Sequence, residues 1–171
     1  TSPKTIHLEG AHNAGPVKPL NVERAKLLNL TSGEQKGLAL QTAAMAKIMS
    51  ERGTSIAVAD KIMTVWIMAR ELFKVSEVLS PIPEEIRLVQ KFLKTEISED
   101  FELIGMLERG IGVHHAGLSD EVRALIEWLA EEGKLRVLCA TSTIAQGINF
   151  PVSSVFLSSR FVKQKHCSRE M

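Results

Sequence analysis

The stretch RVLCATSTIAQGINFP, residues 136–151, decides how the rest of this 171-residue chain is interpreted. Its first part, residues 136–140, is a short apolar run and predicts a buried parallel strand. Three hydroxyl residues follow at once, and Gly147, Asn149 and Pro151 close a short helical turn. Ligands of open α/β sheets bind beyond the carboxyl ends of the strands, so the hydroxyl cluster is a candidate site.

The three hydroxyl residues are Thr141, Ser142 and Thr143. Hydroxyl groups and free backbone N–H groups at the start of a helix are suited to bind phosphate oxygens. The same residue types are also typical of an ordinary helix N-cap, in which a side-chain oxygen accepts a hydrogen bond from the backbone. The spacing therefore leaves two interpretations open, a phosphate site and a cap.

Two sequence motifs carry a resemblance to a known family. The segment ATSTIAQGINFP, residues 140–151, closely resembles motif V of superfamily 2 helicases, in the form found in the superkiller-type DExH enzymes. Residues 112–118, GVHHAGL, resemble the motif just before it in the same enzymes, and a helix-sized gap separates the two. The resemblance covers roughly residues 55–159. It implies the second RecA-like domain of an ATP-dependent nucleic-acid helicase.

The alternation of strand and helix patterns predicts an α/β fold. With the resemblance, the expected fold is a RecA-like three-layer αβα domain with a parallel sheet, covered on both faces through right-handed crossovers. Strands are predicted near residues 55–59, 111–115, 136–140 and 153–157. The expected organisation is an extended arm or interdomain linker at 1–20, N-terminal helices at 21–53, the RecA-like helicase C-terminal domain at 54–159 with a helical insertion at 75–109, and a tail at 160–171 that leads toward a missing arginine-rich motif.

Composition limits the function classes. A net charge of +1 lacks the basic signal of a dedicated nucleic-acid module, and the absence of Tyr argues against a base-stacking platform. Any contact with nucleic acid is therefore expected to run through its backbone and to be weak for this chain alone. No apolar run reaches transmembrane length, so no membrane partner is expected. Neither a disulfide nor a metal site is predicted for Cys139 and Cys167, and a cytoplasmic location, or a nuclear one in a eukaryote, is expected.

The resemblance implies which residues meet nucleic acid. It implies that Thr141 touches a backbone phosphate of the bound strand, with Ser142 or Thr143 assisting. Asp60 and Lys61, after the first predicted strand, resemble the family's loosely defined motif IV, whose strand-end loop faces nucleic acid. For Asp60 a simple helix cap is an equally good interpretation.

The adjacent residues His114 and His115 invite a metal interpretation, which the spacing does not favour. Neighbouring residues on a strand point to opposite faces, so the pair cannot easily ligate one ion. No acidic or Cys partner stands at a metal-ligand spacing. One histidine is expected to pack in the core while the other, together with Gly117, lines the nucleic-acid face. His115 is the candidate contact, although the sequence does not decide between the two.

The resemblance also implies nucleotide contacts at Gln146, Gly147 and Asn149. Asn149 matches the place where relatives have Asn or Asp near the nucleotide ribose, and an amide both donates to and accepts from a ribose hydroxyl. Gly147 permits close approach of the backbone. Some related enzymes have an Arg where this chain has Gln146, so the role of that Arg does not carry over.

The sequence contains neither a P-loop nor a carboxylate pair at a strand end, the motifs that ATP hydrolysis requires. The single Gly-Lys pair, Gly133-Lys134, is followed by Leu, and Trp128 stands where the first P-loop Gly belongs. The one Asp-Glu pair, residues 120–121, opens a helix instead of ending a strand. No catalytic residue is therefore predicted within this chain, and the isolated chain is expected to be inactive.

Two classes of function remain open at this point. In the first, the chain is a fragment of a helicase, ATP with Mg²⁺ binds only in the complete protein, and the partners are a single strand of DNA or RNA and a first RecA-like domain of the same polypeptide. In the second, the chain is a RecA-like binding or scaffold module without catalysis. A coding sequence with a P-loop and a DExH segment upstream would favour the first.

Overall fold

The computed structural model describes residues 37–146 and 151–158, which form a parallel sheet with helices packed against it. The α-helices are α1 (Gly37–Met49), α2 (Ile62–Val75), α3 (Glu84–Glu96), α4 (Leu103–Leu107) and α5 (Asp120–Glu131). The strands are β1 (Ser55–Ala59), β2 (Ile111–His114), β3 (Val137–Thr141) and β4 (Ser154–Leu157). Short 3₁₀ helices span Ser50–Arg52 and Ser142–Gln146.

The four strands pair in the order β2-β3-β1-β4, and every pairing is parallel. Each strand lies within one residue of its predicted bounds. The prediction of a parallel α/β sheet is therefore confirmed. The order places β3, which carries the hydroxyl residues at its end, between β2 and β1.

Helices lie on both faces of the sheet, which gives the predicted three layers. A Cβ on Gly112 would meet Ile126 of α5, so the side chains of β2 that share its face, such as His114, point toward α5. Alternate residues point the other way, toward α2, as the contact of His115 with Trp66 shows. The core fills the space on both sides and includes Leu72 of α2 and Leu138 of β3, both fully buried.

The segment between α2 and β2 contains the helices α3 and α4 and joins the core. Leu93 of α3 and Leu107 of α4 are fully buried. The amide of Gln90 donates to the backbone oxygen of Ile104 at 2.7 Å, which ties the two helices together. Helix α4 is short, with five residues, and turns and irregular backbone at residues 97–102 separate it from α3.

Within the residues described, one face of β4 is partly open to solvent. Val155 and Leu157 are 56% and 52% exposed. Both lie in register with β1 residues on the α5 side of the sheet, and α5 packs against β2 at the other edge. Helix α5 does not reach β4 from that edge, since a helix is about 10 Å wide and neighbouring strands lie about 4.8 Å apart.

The predicted N-terminal helix is partly seen. It runs as α1 to Met49 and tightens to a 3₁₀ turn that stops before Gly53. The predicted arm at 1–20, the first part of the helices at 21–53 and the tail at 160–171 lie outside the described residues.

Candidate nucleic-acid interface

The candidate contacts for nucleic acid come together at the carboxyl edge of the sheet. Asp60 directly follows β1, His115 directly follows β2, and Thr141 is the last residue of β3. Because these three strands are neighbours and parallel, their carboxyl ends form one edge, with Thr141 in the middle. Ala59 is the register partner of Thr141, which brings the chain after β1 to the same place.

The hydroxyls of Thr141 and Thr143 form a hydrogen bond with each other, with 2.8 Å between the two Oγ1 atoms. Thr141 is buried, whereas Ser142 and Thr143 are exposed at the start of the 3₁₀ helix. The buried hydroxyl therefore has a protein partner, and the exposed hydroxyls are the ones that face solvent. This arrangement offers oxygen atoms that both donate and accept at the strand end.

Asp60 and Lys61 lie exposed between β1 and α2. The residue that caps α2 is Lys61, in extended conformation and without a side-chain hydrogen bond to the helix. The alternative in which Asp60 merely caps the helix is therefore wrong. An exposed ammonium group beside the free N–H groups of a helix start favours an anion at this edge.

Both histidines of the 112–118 motif are buried, with 4% of each residue exposed. The expectation that only one packs inside is therefore wrong. They point to opposite faces, as the strand geometry requires. Nε2 of His114 lies 2.6 Å from a carboxylate oxygen of Glu127 on α5, so His114 joins strand and helix.

His115 turns toward α2 and toward its own loop. Its Nδ1 accepts a hydrogen bond from the backbone N–H of Gly117 at 3.0 Å. Its ring packs edge-on against Trp66, with 5.8 Å between the ring centroids. Burial, and then the charge of neighbouring His114, lowers the pKa of His115, so the ring is neutral at pH 7. Gly117 itself is exposed.

Sequence reasoning did not single out Trp66 or Ile62, which support this edge from α2. Trp66 contacts both His115 and Phe101, and the Cδ1 atom of Ile62 lies close to Gly117. Apolar residues at this spacing are typical of any buried helix face, so the sequence held no signal that set these two apart.

The predicted nucleotide contacts are not tested by the geometry. Gly147 and Asn149 lie outside the described residues, and Gln146 ends the second 3₁₀ helix, with its side chain also outside them. Within residues 37–146 and 151–158, no group of three or more His, Cys, Asp or Glu side chains is arranged to hold a metal ion. Burial raises the pKa of the Cys139 thiol to about 12, so it stays protonated in the core.

None of the helices in the described part of the chain combines the length and apolar character needed to span a bilayer.

The class of protein that this geometry suggests is a RecA-like α/β domain with its ligand edge at the carboxyl ends of the strands. No family model matches the chain. Over 81 residues it is 41% identical to the antiviral helicase SKI2 of Saccharomyces cerevisiae, a match covering 47% of this chain and 6% of that protein.

Two further relatives extend the comparison. The chain is 46% identical over 57 residues to the ATP-dependent DNA helicase Hel308 of Caldivirga maquilingensis, covering 33% of the chain and 8% of that protein. It is 39% identical over 64 residues to the ATP-dependent RNA helicase mtr4 of Schizosaccharomyces pombe, covering 37% of the chain and 6% of that protein. The matched region is thus less than a tenth of each relative's length, and all three are helicases by name.

Proposed function

We propose that this chain is part of an ATP-dependent nucleic-acid helicase or translocase, in which residues 54–159 form the second motor domain. Its strand-end edge grips the backbone of a single strand of DNA or RNA. The observation that carries this proposal is the row of candidate residues at the ends of three adjacent parallel strands, with the hydroxyls of Thr141, Ser142 and Thr143 in the middle. The similarity to named helicases supports it.

ATP with Mg²⁺ belongs, in this proposal, to a cleft shared with a first RecA-like domain of the same polypeptide. Gly147 and Asn149, with Gln146 beside them, lie on the closing side of that cleft. Opening and closing of the cleft then alternates grip and release at the edge around Thr141, which moves the strand. A cytoplasmic or nuclear location suits a partner of this kind.

The contact at the edge is electrostatic and runs through phosphates, so it depends on salt. Lys61→Ala is expected to reduce the slope of log affinity against log salt concentration by roughly 0.7, the value for one phosphate contact on a single strand. Lys74→Ala is the matched control, because Lys74 lies in the last turn of the helix that Lys61 precedes, about 20 Å away along its axis. Fluorescence anisotropy with short labelled single-stranded RNA and DNA measures both slopes. Equal slopes in all three proteins would remove Lys61 from the interface.

The isolated chain is expected not to hydrolyse ATP. Cleavage of the γ-phosphate requires a P-loop Lys, a Mg²⁺-holding Ser/Thr and Asp, a residue that orients water, and an arginine finger. The sequence contains no P-loop pattern and no carboxylate pair at a strand end. The measurement is steady-state phosphate release by the purified chain, with and without single-stranded RNA or DNA. If single-stranded RNA or DNA stimulates ATP hydrolysis by the chain well above a buffer blank, the expectation that the isolated chain is inactive is wrong.

The second candidate is a binding or scaffold module that keeps the RecA-like fold without catalysis. The modest net charge of +1 favours it over a dedicated nucleic-acid module. It predicts no salt-dependent binding of oligonucleotides by the chain, so the anisotropy experiment distinguishes the two.

A further inference from the structure

The loop after β2, residues 116–118, is held by two hydrogen bonds to His115: the backbone N–H of Leu118 donates to its backbone oxygen at 3.1 Å, and the imidazole holds Gly117. The backbone N–H of Gly117 donates to Nδ1 of that ring at 3.0 Å. The ring also packs edge-on against the indole of Trp66, with an angle of 68° between the two ring planes. His115 therefore joins an exposed loop at the strand ends to the body of α2.

This hydrogen bond selects one form of the ring. A nitrogen that accepts carries no hydrogen, so the imidazole is neutral and has its hydrogen on Nε2. That Nε2 is buried and has no hydrogen-bond partner among the residues described. An apolar side chain would fill the space beside Trp66 without leaving a buried N–H unpaired. The acceptor at Nδ1 is what distinguishes a histidine from such a residue here.

The space beside the His115 ring leaves little room for a side chain at position 117. A Cβ at Gly117 would lie 3.1 Å from Nδ1 and 3.2 Å from Cε1 of His115, and 3.4 Å from Cδ1 of Ile62. A side chain there would push the ring and the loop apart. Because Gly117 is exposed, the held loop turns its backbone toward solvent at the edge where Thr141 ends β3.

We propose that His115 is a positioning residue, whose Nδ1 holds residues 116–118 in the conformation in which their backbone faces a single strand of nucleic acid. This inference rests on the proposed function. The buried ring does not touch the strand; it acts through Gly117. It also replaces the direct contact that the sequence predicted for His115.

A consequence of the acceptor role is sensitivity to acid. Protonation turns Nδ1 into a donor that faces the N–H of Gly117, so this hydrogen bond is lost and the backbone N–H of Gly117 is no longer held. Because the pKa of His115 is lowered by burial and by His114, the neutral form predominates above the ordinary histidine pKa of about 6.5. Strand affinity is then lost as the pH falls below that value, through the pKa in the folded protein. From α2 the ring meets Trp66, which does not titrate, and His114 is the titratable neighbour that acts on it.

Two substitutions separate the acceptor from the bulk of the ring. His115→Asn keeps a side-chain oxygen that accepts near Nδ1 and does not titrate, whereas His115→Phe keeps a ring beside Trp66 and removes the acceptor. His114→Gln is the matched control, because it changes the adjacent residue and keeps an N–H donor for Glu127. All three are made in the 171-residue chain.

Nuclear magnetic resonance tests the positioning step without nucleic acid. We expect His115 to show the neutral form with hydrogen on Nε2 at neutral pH. The amide hydrogen of Gly117 should exchange about three- to tenfold faster in His115→Phe, the range for one lost hydrogen bond, and unchanged in His115→Asn and His114→Gln. Hydrogen on Nδ1, or no change of exchange in His115→Phe, overturns the inference.

Anisotropy with labelled single-stranded RNA and DNA tests the binding step. We expect His115→Phe to weaken affinity about three- to tenfold, while His115→Asn binds like the unchanged chain and loses the weakening in acid. If the unchanged chain binds and His115→Phe binds equally well, the positioning role is wrong and the proposed function stands. If neither the unchanged chain nor any variant binds single-stranded RNA or DNA, the proposed function is wrong, and this inference is wrong as well.

Discussion

Leu138→Ala is expected to lower the free energy of unfolding by about 2–5 kcal/mol, the range for removing a buried leucine side chain. Leu138 lies in β3, between two neighbouring strands, and none of its surface is exposed. Urea denaturation of the 171-residue chain, followed by circular dichroism, measures the loss. A change below about 1 kcal/mol would mean that the surroundings of β3 are not packed as the structure shows.

Gly112 supplies a second substitution that tests the same packing from the opposite direction. A Cβ on Gly112 would lie 2.9 Å from Cδ1 of Leu138 and 2.7 Å from Cδ1 of Leu135, and both leucines are buried. Gly112→Ala is therefore expected to cost about 1–3 kcal/mol through overpacking. In the double variant with Leu138→Ala, the new methyl group occupies space that the leucine vacated. The combined loss should thus be smaller than the sum, by about 0.5–3 kcal/mol.

Leu72→Ala is the control partner for Gly112→Ala. Leu72 is also fully buried, but it lies on α2, on the other side of the sheet from Gly112. In the double variant, the losses of unfolding free energy from Leu72→Ala and Gly112→Ala should add within about 0.5 kcal/mol. Additive losses in both pairs would contradict the contact between residues 112 and 138.

Thr141→Val is expected to weaken binding of a single strand by about 0.5–1.5 kcal/mol, or up to about 3 kcal/mol if the lost partner is a charged phosphate. Valine keeps the shape of threonine and removes the hydroxyl that bonds to Thr143. Anisotropy with single-stranded RNA and DNA measures the affinity of the chain, and unwinding is measured in the complete helicase that the proposed function implies. Thr141→Ser, which keeps the hydroxyl, should bind like the unchanged chain. Equal affinity and unwinding for Thr141→Val would show that this hydroxyl has no part in gripping phosphates.

In the complete helicase that the proposed function implies, Asn149→Ala should give a different result from Thr141→Val. If Asn149 contacts the nucleotide, its substitution mainly impairs ATP-coupled turnover and leaves strand affinity unchanged. Thr141→Val should mainly weaken the affinity for the nucleic-acid strand. A loss of strand affinity in Asn149→Ala equal to that in Thr141→Val would contradict the proposed separation of the two steps.

The sequence alone determined the order and type of the elements, because these depend on patterns within a few residues. The apolar run at 136–140 indicated β3, and the acidic residues at 120–121 indicated the start of α5. Three hydroxyls directly after a strand identified the edge where a ligand should bind, since the ends of parallel strands meet there. Assigning that ligand as nucleic acid depended on resemblance to a family, because hydroxyls at this spacing also suit a cap.

Only the tertiary structure decided how that edge is built, since its contacts join residues far apart in the chain. The order β2-β3-β1-β4 places the end of β3 in the middle, and no local pattern specifies which strands become neighbours. Burial of both His114 and His115 depends on α5 and α2 packing on opposite faces of β2. Exposure of Leu157 likewise depends on how far a helix reaches across the sheet. Alternation along a strand assigns side chains to faces, but what covers each face is decided by packing between distant segments.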